Sequence, residues 1–121
     1  MKRSCKLRIV NATRGTLIAD RAGVAASSAE RRTGLLKHSE FLPGEGLWIA
    51  PCECIHTFGM KFAIDAVFLT KKKKVAKIAA GLPRRRLAMA LLADSVLELP
   101  AGTASRTDTR IGDQLIFEEA G

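Results

Sequence analysis

A chain of 121 residues with 47% hydrophobic and 26% charged side chains has the composition of one ordinary globular domain, so we take residues 1–121 as a single unit. Its longest apolar run, residues 87–93, is far shorter than the roughly 20 residues that span a bilayer, which excludes a transmembrane helix. No continuous apolar segment follows the basic N-terminus, and three cysteines, an odd number, fit a reducing compartment. The sequence therefore predicts a soluble cytoplasmic protein.

The formal charge of +8 comes mostly from two basic clusters, Lys71–Lys74 and Arg84–Arg86. A basic surface attracts phosphate groups, so nucleic acid is one candidate partner. The lysines, however, lie between two apolar segments, where a solvated hairpin tip is the usual explanation. The aromatic residues are not interleaved with either cluster, as a base-stacking platform would require. Nucleic-acid binding through these clusters is therefore an alternative and not the first interpretation.

The first predicted elements are a hairpin and a helix. Leu7–Val10 and Leu17–Ala19 flank a turn at residues 13–16, which indicates two short antiparallel strands. Ser27–Glu30 has the pattern of a capping box, in which the serine hydroxyl and the glutamate carboxylate satisfy the free amides of a starting helix. A helix at about residues 28–36 follows from this pattern.

The middle of the chain contains the clearest strand pattern. A turn at Pro43–Gly46 leads into a short buried strand, Leu47–Ala50, which Pro51 ends. Ala63–Thr70 is an apolar strand that pairs across the lysines with Val75–Ala80. We expect this second hairpin to form the centre of the sheet.

The last third of the chain adds two more strands. Residues 87–93 fit either a strand or a helical turn, since Ala, Leu and Met favour helix while the flanking residues suggest a sheet. Ser95–Leu99 is a strand ended by Pro100–Gly102, and Gln114–Phe117 is the last strand. Many short strands with one or two short helices predict a mostly β fold, either a small β-barrel or a sandwich-like domain.

The reactive side chains are concentrated in one short stretch, which contains Cys52, Cys54, His56, Met60 and Asp65. In an extended strand the first three of these share a face, but Cys52 and His56 would then lie about 13 Å apart. A nucleophilic thiol–imidazole pair would therefore require a turn between them. Asp65 lies inside the most apolar strand, so its carboxylate must find specific donors or be exposed.

A metal site is the second functional interpretation of this stretch. Thiolate and imidazole ligands from Cys52, Cys54 and His56 are of the kind that binds copper or zinc. Structural zinc sites usually have two ligand pairs well separated in sequence, and this chain does not supply them. Cys and Met also serve as ordinary core residues, and a single His is often a hydrogen-bonded core side chain, so a purely structural role remains open.

Six blocks of the sequence, taken in order, resemble the domain of unknown function 192 family, also called uncharacterised protein family 0127. These blocks are Glu30–Leu36, Gly46–Trp48, Ile55–Met60, Ile64–Leu69, Val96–Ala104 and Gly112–Asp113. The resemblance implies a compact β-barrel or sandwich-like domain with a flanking helix, and it implies no established reaction. The central motif of the family corresponds here to His56, Thr57, Met60, Ile64 and Asp65. Some members of the family are exported.

We therefore expect a non-enzymatic module that binds a small ligand or a protein partner in a groove near His56 to Asp65. The candidate binding residues are His56, Thr57, Met60 and Asp65. No cofactor is expected. The alternative is a site formed by Cys52, Cys54 and His56, which would either bind copper or zinc or act through its thiols. The sequence indicates neither the ligand nor the oligomeric state.

Overall fold

The computed structural model describes residues 6–26, 40–52, 54–57 and 60–120, with the backbone alone at Cys54 and His56. These residues form nine strands and one short helix. The elements are β1 (Leu7–Asn11), β2 (Thr16–Ala25), β3 (Glu45–Ile49), β4 (Cys54–His56), β5 (Ile64–Leu69), β6 (Val75–Leu82), β7 (Leu87–Met89), β8 (Ser95–Pro100), α1 (Thr103–Arg106) and β9 (Leu115–Glu119). The predicted mostly β fold is thus confirmed. The predicted helix at residues 28–36 lies outside the described residues.

Seven strands form one sheet in the order β6-β5-β8-β3-β2-β1-β9, and β4 pairs with β7 in a separate two-stranded sheet. The large sheet curls as a half-barrel. Its neighbours are antiparallel except β2 and β3, which run parallel. In the part of the chain that the structure describes, no helix is long and apolar enough to cross a membrane.

Both predicted hairpins form, but the expected central position of the second hairpin was wrong. The β1–β2 hairpin and the β5–β6 hairpin have the predicted pairing. The β5–β6 hairpin nevertheless lies at one edge of the sheet, because β8 pairs with the free side of β5 and β3 takes the middle position. The burial of β6 agrees with this placement, since most of its residues are only half-buried or exposed.

Strands β5 and β8 are buried along their whole length, because each packs against a core on both faces of the sheet. Val67 and Leu69 of β5 belong to a first apolar cluster, together with Leu97 and Leu99 of β8. The intervening positions face a second cluster on the other side of the sheet. The buried members of this second cluster are Ile55, Met60, Ile64, Ala66, Phe68, Ala88 and Val96.

The two-stranded sheet, β4 and β7, supplies part of the second cluster. Ile55 and Ala88 are directly opposite each other in its register, and both are buried in that cluster. The ambiguous segment at residues 87–93 therefore begins as a short strand and continues into a turn at Leu91 and Leu92. This ribbon lies over the face of the large sheet that carries Ile64, Ala66 and Phe68.

Candidate functional site

The carboxylate of Asp65 is buried and holds three backbone amides from two separate segments. Its Oδ1 accepts a hydrogen bond from the Gly81 amide at 2.7 Å. Its Oδ2 accepts from the amides of Gly102 and Ala104 at 3.1 and 2.8 Å, just before and within α1. With an exposure of 1%, the group is removed from water, so these amides replace its hydration. Asp65 thereby ties the end of β6 and the start of α1 to β5.

Thr57 follows β4 and fixes the backbone of the arginine cluster, Arg84–Arg86. Its Oγ1 donates to the Pro83 carbonyl at 2.6 Å and accepts from the Arg86 amide at 2.8 Å. Its own amide donates to the Arg86 carbonyl at 2.8 Å, and its carbonyl accepts from the Arg85 amide at 3.3 Å. The side chain is fully buried, so these bonds account for its polar atoms.

The remaining residues predicted from the reactive stretch are described to different extents. Met60 is buried in the second cluster, and Cys52 is half-buried against the same cluster. Cys54 and His56 form part of β4, whose backbone is extended, and their side chains lie outside the described residues. Among the side chains that the structure describes, no three His, Cys, Asp or Glu gather as metal ligands do. The copper or zinc alternative therefore stays a prediction.

Glu98, in the middle of β8, is a buried carboxylate that the sequence reasoning missed. Its side chain is 3% exposed, and its Oε1 has no hydrogen-bond partner in the described part of the chain. Burial raises the pKa of this carboxyl from 4.5 to about 7. Near neutral pH it therefore exists as a mixture of the neutral acid and the carboxylate.

The register of the sheet places Glu98 on the face of the second cluster. Glu98 is opposite Ala66 of β5 on one side and Leu47 of β3 on the other, and residues directly opposite share a face. Ala66 is a buried member of the second cluster, and Leu47 packs against it. Asp65 is opposite Leu99, a member of the first cluster, so it lies on the other face. The two carboxylates thus occupy opposite sides of the sheet.

A third buried carboxylate, Asp113, joins the two turns at the far end of the sheet. Its Oδ2 accepts from the Asn11 side chain at 2.9 Å, from Arg14 Nε at 3.0 Å and from the Arg110 amide at 2.9 Å. Burial opposes ionisation of Asp113, but the hydrogen bonds from Arg14, Asn11 and Arg110 outweigh it and lower the pKa of the carboxyl. Asp113 therefore resembles Asp65 in having donors and differs from Glu98.

The two basic clusters lie at opposite ends of β6. Lys71, Lys72 and Lys74 are exposed in the turn before the strand, and Arg84–Arg86 are exposed after it. Eight strand residues separate them by about 26 Å. Lys73 differs from the other lysines, because its Nζ lies 4.9 Å from the centre of the Trp48 ring. The clusters are therefore two separate charged surfaces.

A signal for Glu98 was present in the sequence. A carboxylate inside an apolar strand must find donors or be exposed, and Glu98 in Val96–Leu99 is such a carboxylate as much as Asp65 is. An acidic residue in an apolar strand predicts an unusual environment for its carboxylate. It does not indicate whether that carboxylate has hydrogen-bond donors. That distinction depends on which loops reach each face of the sheet.

Comparison with known proteins places the chain in a family whose function is not established. No curated protein matches it significantly. A protein of unknown function from Novosphingobium aromaticivorans DSM 12444 has 23% identity and a TM-score of 0.80, over 93% of this chain and 84% of that one. A "putative transcription regulator" from Sinorhizobium meliloti 1021 has 20% identity and a TM-score of 0.82, over 95% and 94%. Both likenesses concern the fold alone. The DUF192 family model, described as "Uncharacterized ACR, COG1430", matches residues 9–117, so the chain belongs to that family.

Proposed function

We propose that this chain is a binding module that takes a small ligand, or one side chain of a protein partner, on the sheet face that carries Glu98. This face adjoins the stretch from His56 to Asp65, because Met60 and Ile64 belong to the same apolar cluster as the neighbours of Glu98. Met60 and Glu98 would contact the ligand. Thr57 and Asp65 would hold the surrounding segments in place, and His56 would contribute from the neighbouring strand β4.

The carboxylate of Glu98, whose Oε1 has no hydrogen-bond partner among the described residues, carries this proposal. A buried carboxylate without donors is costly, and the pKa near 7 reflects that cost. A ligand that brings a hydrogen-bond donor or a positive charge would supply the missing partner, and its apolar part would pack against the cluster. The chemistry that fits is therefore an apolar body that ends in an ammonium group.

The proposal can be tested by NMR on protein labelled at the methionine methyl groups, with n-hexylammonium chloride as the probe. Met60 lies in the second cluster, while Met89 is exposed on β7 and serves as an internal reference. We expect hexylammonium to shift the Met60 methyl signal in a saturable way, and more strongly above pH 7, where Glu98 is ionised. The uncharged n-hexanol should bind more weakly under the same conditions.

The matched variants are Glu98→Gln and Glu118→Gln. Glu118 is exposed and pairs with Arg8, so its variant removes one carboxylate without touching the second cluster. Glu98→Gln should abolish the preference for hexylammonium over hexanol, and Glu118→Gln should keep it. Equal binding of both probes to the unmodified protein, or no response at Met60, would refute the proposal.

A further inference from the structure

A second surface, distinct from the Glu98 face, lies on the outer side of β7 and in the turn after it. Its members are Leu87, Met89, Leu91 and Leu92, which we call the leucine patch. All four side chains are exposed, whereas Ala88 between the first two is buried. Single exposed leucines are ordinary, but four large exposed apolar side chains within six residues are a concentration of the kind found at interaction sites.

The turn itself gives no reason for these leucines. The Ala93 amide donates to the Ala90 carbonyl at 3.1 Å, so Leu91 and Leu92 are the two central residues of a tight turn. Their side chains are 79% and 88% exposed. Central turn positions favour Gly, Pro, Asn, Asp and Ser, because those residues fit the backbone or bond to it. Two leucines at these positions expose apolar surface to water and do not help to form the turn.

Cationic residues adjoin the leucine patch. The arginine cluster, Arg84–Arg86, directly precedes Leu87, and hydrogen bonds that join Thr57 to Pro83, Arg85 and Arg86 hold the backbone of this segment. Lys77 Nζ donates to the Met89 carbonyl at 2.7 Å, which brings another cation to β7. Asp94 is the single acidic residue of the segment from 83 to 94. The charge beside the patch is therefore strongly positive.

We propose that the leucine patch and the arginine cluster together form a docking face for a membrane surface that contains anionic lipid. Leu91 and Leu92 would enter the boundary between headgroups and acyl chains, while the guanidinium groups would bind the lipid phosphates. Nucleic acid offers phosphate as well, but it has no acyl layer to receive the leucines. The adjacency of exposed leucines and arginines therefore favours a lipid surface.

Sedimentation with vesicles of phosphatidylcholine alone, and with vesicles that also contain phosphatidylglycerol, tests the proposal. We expect binding to the phosphatidylglycerol vesicles and little to the others. The double variant Leu91→Ser, Leu92→Ser should lower the partition coefficient about tenfold or more. Neutralising Arg84, Arg85 and Arg86 with glutamine should lower it by a similar factor and remove the preference for anionic lipid.

A matched control neutralises Lys71, Lys72 and Lys74 with glutamine, which removes the same charge at the other end of β6. This control should lose much less binding than the arginine variant. In the presence of spin-labelled lipid the Met89 methyl signal should broaden while that of Met60 does not, and an unchanged Met60 signal also shows that each variant is folded. Absence of vesicle binding, or equal losses in the lysine and arginine variants, would overturn the proposal.

Discussion

Asp65 and Glu98 are buried carboxylates on neighbouring strands, yet their surroundings are opposite. The Asp65 carboxylate accepts hydrogen bonds from three backbone amides, whereas Glu98 Oε1 has no hydrogen-bond partner among the described residues. The difference follows from topology, because the end of β6 and the start of α1 reach the Asp65 face. The residues opposite Glu98 on the neighbouring strands, Ala66 and Leu47, are apolar. Hydrogen-bond donors stabilise the ionised form of a buried carboxylate, and burial without donors disfavours that form.

The largest effect is expected from Asp65→Ala. This variant removes the carboxylate that accepts hydrogen bonds from the amides of Gly81, Gly102 and Ala104, of which Ala104 is buried, so the free energy of unfolding should fall by on the order of 3 to 5 kcal/mol. Urea denaturation measures this change. Glu118→Ala is the control, because its exposed pair with Arg8 should contribute about 1 kcal/mol or less. A loss at Asp65 no larger than that of the control would remove the contrast with Glu98.

Glu98→Gln should raise the free energy of unfolding, where Asp65→Ala lowers it, and the size of the increase should depend on pH. The folded state keeps the Glu98 proton up to about pH 7, while the unfolded chain releases it near 4.5. Stability from this group is therefore complete below 4.5 and lost as the pH rises through 7. Above pH 7 the glutamine variant should be more stable than the unmodified protein by up to about 3 kcal/mol.

The control for this prediction is the same pair of proteins below pH 4.5, where the unmodified carboxyl is protonated in both the folded and unfolded states. There the two urea midpoints should nearly coincide. If the difference between the variant and the unmodified protein stayed constant from acid to alkaline pH, Glu98 would not be the titrating buried group.

Asp113→Asn should lower the free energy of unfolding by a smaller amount, about 1 to 2 kcal/mol. This variant tests whether hydrogen-bond donors alone explain the contrast between Asp65 and Glu98. The pKa of Asp113 is lowered, so its contribution is present at neutral pH and is lost as the pH falls below 3.8 through the folded-state value. The variant should be destabilised at neutral pH and lose less stability in acid. Asp108→Asn removes an exposed ion pair with Arg110, so it should change neither the stability at neutral pH nor the loss of stability in acid.

Much of the fold could be predicted from local pattern. The β1–β2 and β5–β6 hairpins follow from apolar strands joined by turn residues, and the strand at Ser95–Leu99 from its proline and glycine boundary. The order of the strands could not be predicted in this way. The placement of β8 beside β5 and of β3 at the centre depends on pairings between distant segments, which local periodicity does not encode.

The candidate site was predicted less completely. Asp65 was expected to need specific donors, and three amides supply them. Glu98 was not among the predicted residues, although it interrupts an apolar strand as Asp65 does. The charge clusters were visible in the sequence, but the exposure of Leu91 and Leu92 beside the arginines was not, because an apolar run in a sequence usually indicates a buried element.

The pairing of β1 with β9 at the outer edge of the large sheet has a consequence for how the molecule folds. The ion pair between Arg8 and Glu118 spans 110 positions of sequence, and the Ala120 amide bonds to the Lys6 carbonyl. Contacts between such distant residues form only after a long loop has closed. The entropy lost in closing the loop slows folding. We therefore expect the β5–β6 hairpin to form early and the β1–β9 edge to close late, in a slow cooperative step.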